Sequence, residues 1–264
     1  MTRDFRVAVA QCVSLTGGVD ANLETAEALC RQAGSDGADL ILFPETHATG
    51  YSYRDLRSLV EATAEPITGR IVQAYREMAC ANDLVVCGGM FEREGEDFFN
   101  SHVVAYPDGR IDVQRKGLSS PAETGVITLE RGRRVFEWAG VRFGILICAD
   151  SALEDAGDQI AALGISLLLH PCAGRILFTG PEAQAATQAE ADAAFDLGLH
   201  SAAQWEVAYA AANLIGFSGE DFYPGNSWVI RPDGSHHRMA VTALPSEMAS
   251  SVAIENVCAS VFVS

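Results

Sequence analysis

One stretch, Gly140-Val-Arg-Phe-Gly-Ile-Leu-Ile-Cys-Ala-Asp150, limits what this chain can fold into more than any other. Val141 to Ile147 is a short apolar, partly β-branched run that does not alternate with polar residues. It reads as a strand buried on both faces, which belongs in a sheet covered by helices. The run ends abruptly at Cys148, then the small Ala149 and Asp150, before a helical pattern begins after Ser151. The carboxyl end of such a strand is where α/β sheets place their chemistry. A lone cysteine there is equally a small buried hydrophobe, so its meaning depends on what the rest of the chain brings to it.

The remaining sequence alternates strands and helices. Residues 5–12 read as a first strand, with Val7 and Val9 on one side and Ala8 and Ala10 on the other. Val19, Leu23, Ala26, Cys30 and Ala33 then recur at helical spacing, with Asp20 as N-cap and Gly34 and Gly37 ending the pattern. Residues 38–44 are a second apolar strand, stopped by Pro44 and parallel to the first through a right-handed crossover. A helix over 69–82 and a strand over 84–91 follow, the latter with a Gly88-Gly89 pair that signals close backbone approach. Residues 98–106 and 110–115 form a hairpin about Pro107-Asp108-Gly109, and 135–138 and 141–147 another about Ala139-Gly140. A helix over 153–163 and a strand over 165–170 come next. The alanine-rich segment 182–203 is helical, with Glu182, Glu190, Asp192 and Asp196 as a solvated face. Strands over 207–212, 226–231 and 252–255 complete the pattern. No linker-like stretch interrupts it, so residues 1–264 read as a single α/β domain.

Charge narrows the partners. Eighteen basic against 35 acidic residues give a net charge of −17. That disfavours nucleic acid and anionic membrane, which both need a basic patch. No apolar run reaches membrane-spanning length, and no apolar segment follows the first charges as in a signal peptide. Seven cysteines are scattered without a C-x-x-C pair, a pattern of reduced thiols, and the expected location is cytoplasmic. His236-His237 would point to opposite faces of a strand and has no acidic or thiol company, so no metal is expected there.

Two further stretches bear on Cys148. Pro44-Glu45 stands at the carboxyl end of the second apolar run, and the first hairpin delivers Arg115-Lys116-Gly117-Leu118. His47, just beyond Glu45, reads as structural. A thiol attacks a carbonyl or nitrile carbon only as thiolate, so it needs a base or a positive charge nearby. Of the six histidines only His170, closing the 165–170 strand, has a suitable setting. Glu45 is the alternative, meeting Cys148 across adjacent strands; a carboxylate in a dehydrated pocket can take the thiol proton and return it to a leaving amine. Lys116 would then stabilise the oxyanion, with the backbone N–H after Cys148 as a second donor.

The motifs Leu42-Phe43-Pro44-Glu45, Arg115-Lys116-Gly117-Leu118 and Ile147-Cys148-Ala149-Asp150 resemble those of the nitrilase or carbon–nitrogen hydrolase superfamily, and in the same order. Val9-Ala10-Gln11, Phe99-Asn100-Ser101, Tyr209 to Asn213 and Gly225-Asn226-Ser227 also fall where that family has similar residues. The resemblance implies a four-layer αββα sandwich of nitrilase type. It implies a triad of Glu45 as base and acid, Lys116 as transition-state stabiliser and Cys148 as nucleophile. A thioester, or a thioimidate from a nitrile, would form on Cys148 and be hydrolysed by water, with no cofactor and no metal. It further implies a second glutamate that orients the triad, a place taken by Glu123, the sole acidic residue between Lys116 and Glu130. Cys172, after His170-Pro171, falls where the family lines its substrate pocket. The implied partner is a small linear amide or N-carbamoyl amine, with nitrile hydrolysis or acyl transfer as alternatives and a non-catalytic ligand-binding role as a third. A homodimer or larger homo-oligomer is also implied. The chain departs from the pattern after the nucleophile, at Ala149 to Glu154, and after the lysine, where Gly117 replaces the common histidine. Both changes reshape the pocket and leave the three residues in place.

Overall fold

The computed structural model describes residues 5–153, 155–175, 182–218, 220–241 and 257–263. In chain order the first half comprises β1 (Phe5–Gln11), α1 (Val19–Ser35), β2 (Leu40–Leu42), α2 (Leu56–Thr63), α3 (Arg70–Asn82), β3 (Val85–Glu94), β4 (Asp97–Ala105) and β5 (Ile111–Arg115). Then come β6 (Phe136–Trp138) and β7 (Val141–Ile145), a 3-10 turn at Cys148–Ala152, α4 (Ala156–Leu163), β8 (Leu167–Cys172) and α5 (Ala183–Trp205). The last strands are β9 (Ala208–Asn213), β10 (Ile215–Ser218), β11 (Asp221–Pro224), β12 (Trp228–Ile230), β13 (His236–Arg238) and β14 (Val257–Val263).

These strands make two six-stranded sheets, ordered β14-β1-β2-β3-β4-β5 and β13-β12-β9-β8-β7-β6, and a separate β10-β11 hairpin. Each sheet has a parallel centre, β1-β2-β3 in one and β7-β8-β9 in the other. The alternation on β1 sets the layers, because successive side chains leave a strand on opposite faces. Val7 and Val9, with Leu40, Leu42 and Val85, pack between the sheets against Phe143, Ile145, Ile147, Leu167 and Leu169. Ala8, Ala10 and Ile41 turn outward and meet Leu29 and Cys30 of α1 and Ile71 and Tyr75 of α3. On the other side, Leu146, Leu168 and Tyr209 lie under Ile160 of α4 and Phe195 and Ala202 of α5. The order helix, sheet, sheet, helix is the αββα sandwich that the resemblance implied.

Some elements differ from the sequence expectation. The α2 helix, the β10-β11 hairpin and β13 are additional, all short. The helix expected from 153 starts at Ala156, because the chain first turns through a 3-10 segment after Cys148. The expected strand over 252–255 lies outside the described residues; β14 runs antiparallel to β1, with Phe5 opposite Val263. Glu182, Glu190 and Asp196 are exposed, while Asp192 pairs with Arg238 at 2.7 Å. No helix among the described residues is long and apolar enough to cross a membrane.

Candidate active site

Glu45 follows the carboxyl end of β2, after Phe43-Pro44, and is 1% exposed. Its placement depends on the glycine pair of β3. A Cβ on Gly89 would run into the Thr46 amide nitrogen and lie 2.9 Å from the Pro44 carbonyl oxygen, so only glycine admits this turn. The Gly89 carbonyl accepts from Ala48 N–H at 3.1 Å, and Thr46 holds a left-handed φ of 47°. The Glu45 N–H donates to the Cys172 carbonyl at 3.3 Å, tying the end of β2 to the end of β8 in the opposite sheet. Glu45 and Cys148 therefore face each other from different sheets. The expectation of adjacent strands is incorrect, because strand periodicity carries no information about which sheet a strand joins.

Lys116 directly follows β5 and continues its ladder, donating its N–H to the Asn100 carbonyl at 2.9 Å. Its neighbour Arg115 points the other way, stacked on Phe99 and bonded to the buried Glu92 at 2.5 Å. That leaves the Lys116 side chain directed inward, 1% exposed. Its Nζ donates to Glu45 Oε1 at 2.6 Å and to Glu123 Oε2 at 2.8 Å. Asn100 Nδ2 donates to the same Glu45 Oε1 at 2.8 Å and to Glu123 Oε1 at 2.7 Å. Glu123, fully buried, is held in turn by the Ser120 N–H at 2.7 Å. One ammonium and one amide thus bridge two carboxylates, which a buried lysine requires.

Cys148 opens the 3-10 turn with a left-handed φ of 46°, a conformation costly for a residue with a side chain. Two neighbours hold it there. Asp150, fully buried, accepts from Gly117 N–H at 2.9 Å and Leu118 N–H at 2.8 Å through Oδ1. Its Oδ2 accepts from Ile147 N–H at 3.0 Å and Arg133 Nη1 at 2.9 Å. One carboxylate thereby clamps the lysine loop to the cysteine turn. The second neighbour is His170, whose Nε2 lies 3.0 Å from the Cys148 carbonyl oxygen. A carbonyl only accepts, so Nε2 carries the hydrogen and Nδ1 accepts from Tyr209 O–H at 2.7 Å. His170 meets the backbone of Cys148 through this bond. His47 is buried against Phe43 with ring centroids 4.9 Å apart, and burial pushes it down to about 3, a neutral structural residue.

The electrostatics divide the protons. Burial pushes the Glu45 carboxyl well above its ordinary range, and the nearby Cys148 sulfur adds to this against the pull of Lys116. Cys148 is held well below the usual thiol range, first by a hydrogen bond with the Cys172 thiol and, against the cost of burial, by the Lys116 charge. Burial opposes charge on Lys116, but Glu45, Cys148 and Glu123 outweigh it and keep the amine protonated. Negative charge therefore favours the sulfur and a proton favours Glu45. Both donors to Glu45 use Oε1, which leaves Oε2 for that proton.

Sequence reading missed Asn100, Asp150 and Arg133. Asn100 and Asp150 lay inside quoted motifs, but a buried polar partner differs from any other Asn or Asp only once its neighbours are known.

Comparison with known proteins bears on the family and the fold. The carbon-nitrogen hydrolase profile matches residues 6–257. A nitrilase of Pyrococcus abyssi is 28% identical over 153 residues, 58% of each chain. An (R)-stereoselective amidase of a Pseudomonas species is 28% identical over 166 residues, 62% of this chain and 59% of its own. The chain thus spans about three fifths of the length of these curated relatives. The crystal structure of a CN-hydrolase superfamily protein from Xanthomonas campestris superposes with a TM-score of 0.79 at 21% identity, covering 99% of this chain and 91% of that one. A family profile that runs nearly from end to end, on a sandwich of the same architecture, shows that this chain belongs to the carbon–nitrogen hydrolase family.

Proposed function

We propose that the protein hydrolyses a small non-peptide C–N bond, that of a linear amide or an N-carbamoyl amine, through a thioester on Cys148. The observation that carries this reading is Lys116 Nζ, 2.6 Å from Glu45 and 2.8 Å from Glu123, beside a sulfur that favours its charged form. The Cys148 thiolate attacks the carbonyl carbon. The oxyanion that develops lies against the Lys116 ammonium and the Ala149 N–H, donors fixed before the substrate arrives. Glu45 gives its Oε2 proton to the departing amine, so the C–N bond breaks without expelling an amide anion. Glu45, now a carboxylate, takes a proton from water, and the resulting hydroxide attacks the thioester and releases Cys148. Glu123 acts as a positioning residue, holding Lys116 and Asn100 against Glu45.

A panel of linear amides, ureido acids and nitriles, assayed by ammonia release, tests the proposal. Turnover of an amide or carbamoyl compound, abolished in Cys148→Ala with the fold retained by circular dichroism, is the expected result. Retained turnover in Cys148→Ala would remove the nucleophile. Ammonia from nitriles alone would change the substrate class, and no ammonia from any compound would favour a binding role.

A further inference from the structure

Cys172 is not consumed in the steps above, yet it stands beside Cys148 and supports its thiolate. The parallel β7-β8 register sets Phe143 opposite Leu167, Gly144 opposite Leu168 and Ile145 opposite Leu169. β7 ends at Ile145 and Cys148 stands in the turn beyond it, where His170 Nε2 reaches across from β8 to the Cys148 carbonyl oxygen. Cys172 lies two residues beyond His170 on β8 and shares its face. His170 holds the Cys148 backbone at 3.0 Å, and Glu45 N–H holds the Cys172 carbonyl at 3.3 Å, so both cysteines are fixed from behind. Both thiols are free, and both residues are partly open to solvent. The Cys172 Sγ lies 3.6 Å from the His170 carbonyl oxygen and also within hydrogen-bond reach of the Cys148 sulfur, the arrangement of a nucleophilic thiolate and a resolving thiol.

We propose that Cys148 and Cys172 form a reversible disulfide when the protein meets a hydroperoxide, shutting the site and sparing Cys148 from deeper oxidation. The Cys148 thiolate attacks one peroxide oxygen and the O–O bond breaks. The sulfur is oxidised by two electrons to a sulfenic acid, and the peroxide is reduced to hydroxide or an alcohol. The Cys172 sulfur then attacks the Cys148 sulfur and displaces hydroxide, which leaves with the Cys172 proton as water. A dithiol reverses the bridge by exchange. The bridge needs only the two sulfurs, whereas its effect on turnover rests on the nucleophile reading above.

Hydrogen peroxide in excess, followed by dithiothreitol, tests this on the whole protein. No lysine or arginine lies between Arg142 and Arg175, so trypsin leaves both cysteines in one peptide. Oxidation should lighten that peptide by two hydrogen atoms. Cleavage after Glu154 should then give two fragments that part only on reduction. Amide hydrolysis should fall to background and return to its starting value with dithiothreitol. In Cys172→Ser, the same treatment should add oxygen atoms to Cys148, and the lost activity should not return. Oxygen on Cys148 of the native protein with no bridge would overturn the proposal. So would a Cys172→Ser variant that recovers as fully as the native protein. A bridge that forms and leaves turnover intact would keep the disulfide and remove Cys148 as the nucleophile.

Discussion

Cys148 and Glu45 exchange the protonation states they have in water, and the exchange has a direction that can be measured. An ordinary thiol has a pKa of about 8.5, and its alkylation slows roughly tenfold for each pH unit below that value. The Cys148 thiol is held well below the usual range, so its alkylation by iodoacetamide stays level as pH falls through 8 and drops only at its own lower pKa. Peptide mapping of the labelled site against a small free thiol checks this, and a Cys148 profile that follows the free thiol contradicts it. Lys116 is one source of the shift, so Lys116→Met, which keeps the aliphatic stem, moves the profile to higher pH. The same variant loses more turnover than the 10²–10³ typical of one oxyanion donor, because it also withdraws charge from the thiolate. A loss of only a few-fold would make Lys116 peripheral.

At the scale of elements, the site is made by the ends of strands and by what clamps them. Asp150 joins the turn after β7 to the loop after β5 through three backbone N–H groups and Arg133. Asp150→Ala leaves those donors and the buried guanidinium without an acceptor, a loss of about 3–5 kcal/mol by analogy with other broken buried pairs. Urea unfolding measures it, and a change within 1 kcal/mol would show that solvent replaces the carboxylate (about 1–3 kcal/mol is usual for one stranded group). Gly89 offers a second test. Gly89→Ala forces the Glu45-Thr46 backbone off β3, and overpacking of this kind costs roughly 1–3 kcal/mol. Turnover falls further than stability, because Glu45 moves with its backbone. Gly132→Ala is the control, since a Cβ there meets nothing within 4 Å.

At the scale of the molecule, the two sheets press Leu40, Leu42, Leu167 and Leu169 into one dry interior. Leu169→Ala removes a fully buried side chain from it and costs about 2–5 kcal/mol in denaturant titration. Much of this architecture was legible in the sequence. The Val7/Val9 and Ala8/Ala10 alternation gave two distinct faces, and apolar runs ending at Pro44 and Cys148 marked the ends where polar groups gather. The Gly88-Gly89 pair signalled the approach that Gly89 and Thr46 make. Periodicity is a local property, however. It could not say that β2 and β7 lie in facing sheets, or that Asn100 and Asp150 would find buried partners far along the chain. The eight-residue α2 helix and three-residue β13 were too short for their periods to stand out.

The hydrogen bond from Glu45 N–H to the Cys172 carbonyl rivets one half of the sandwich to the other at the point where acid and sulfur face each other. If the halves slide by even an ångström, the two partners separate while both hydrophobic layers remain covered. Amide turnover is therefore expected to fall on gentle warming before the circular dichroism changes, and a loss of both at the same temperature would contradict this.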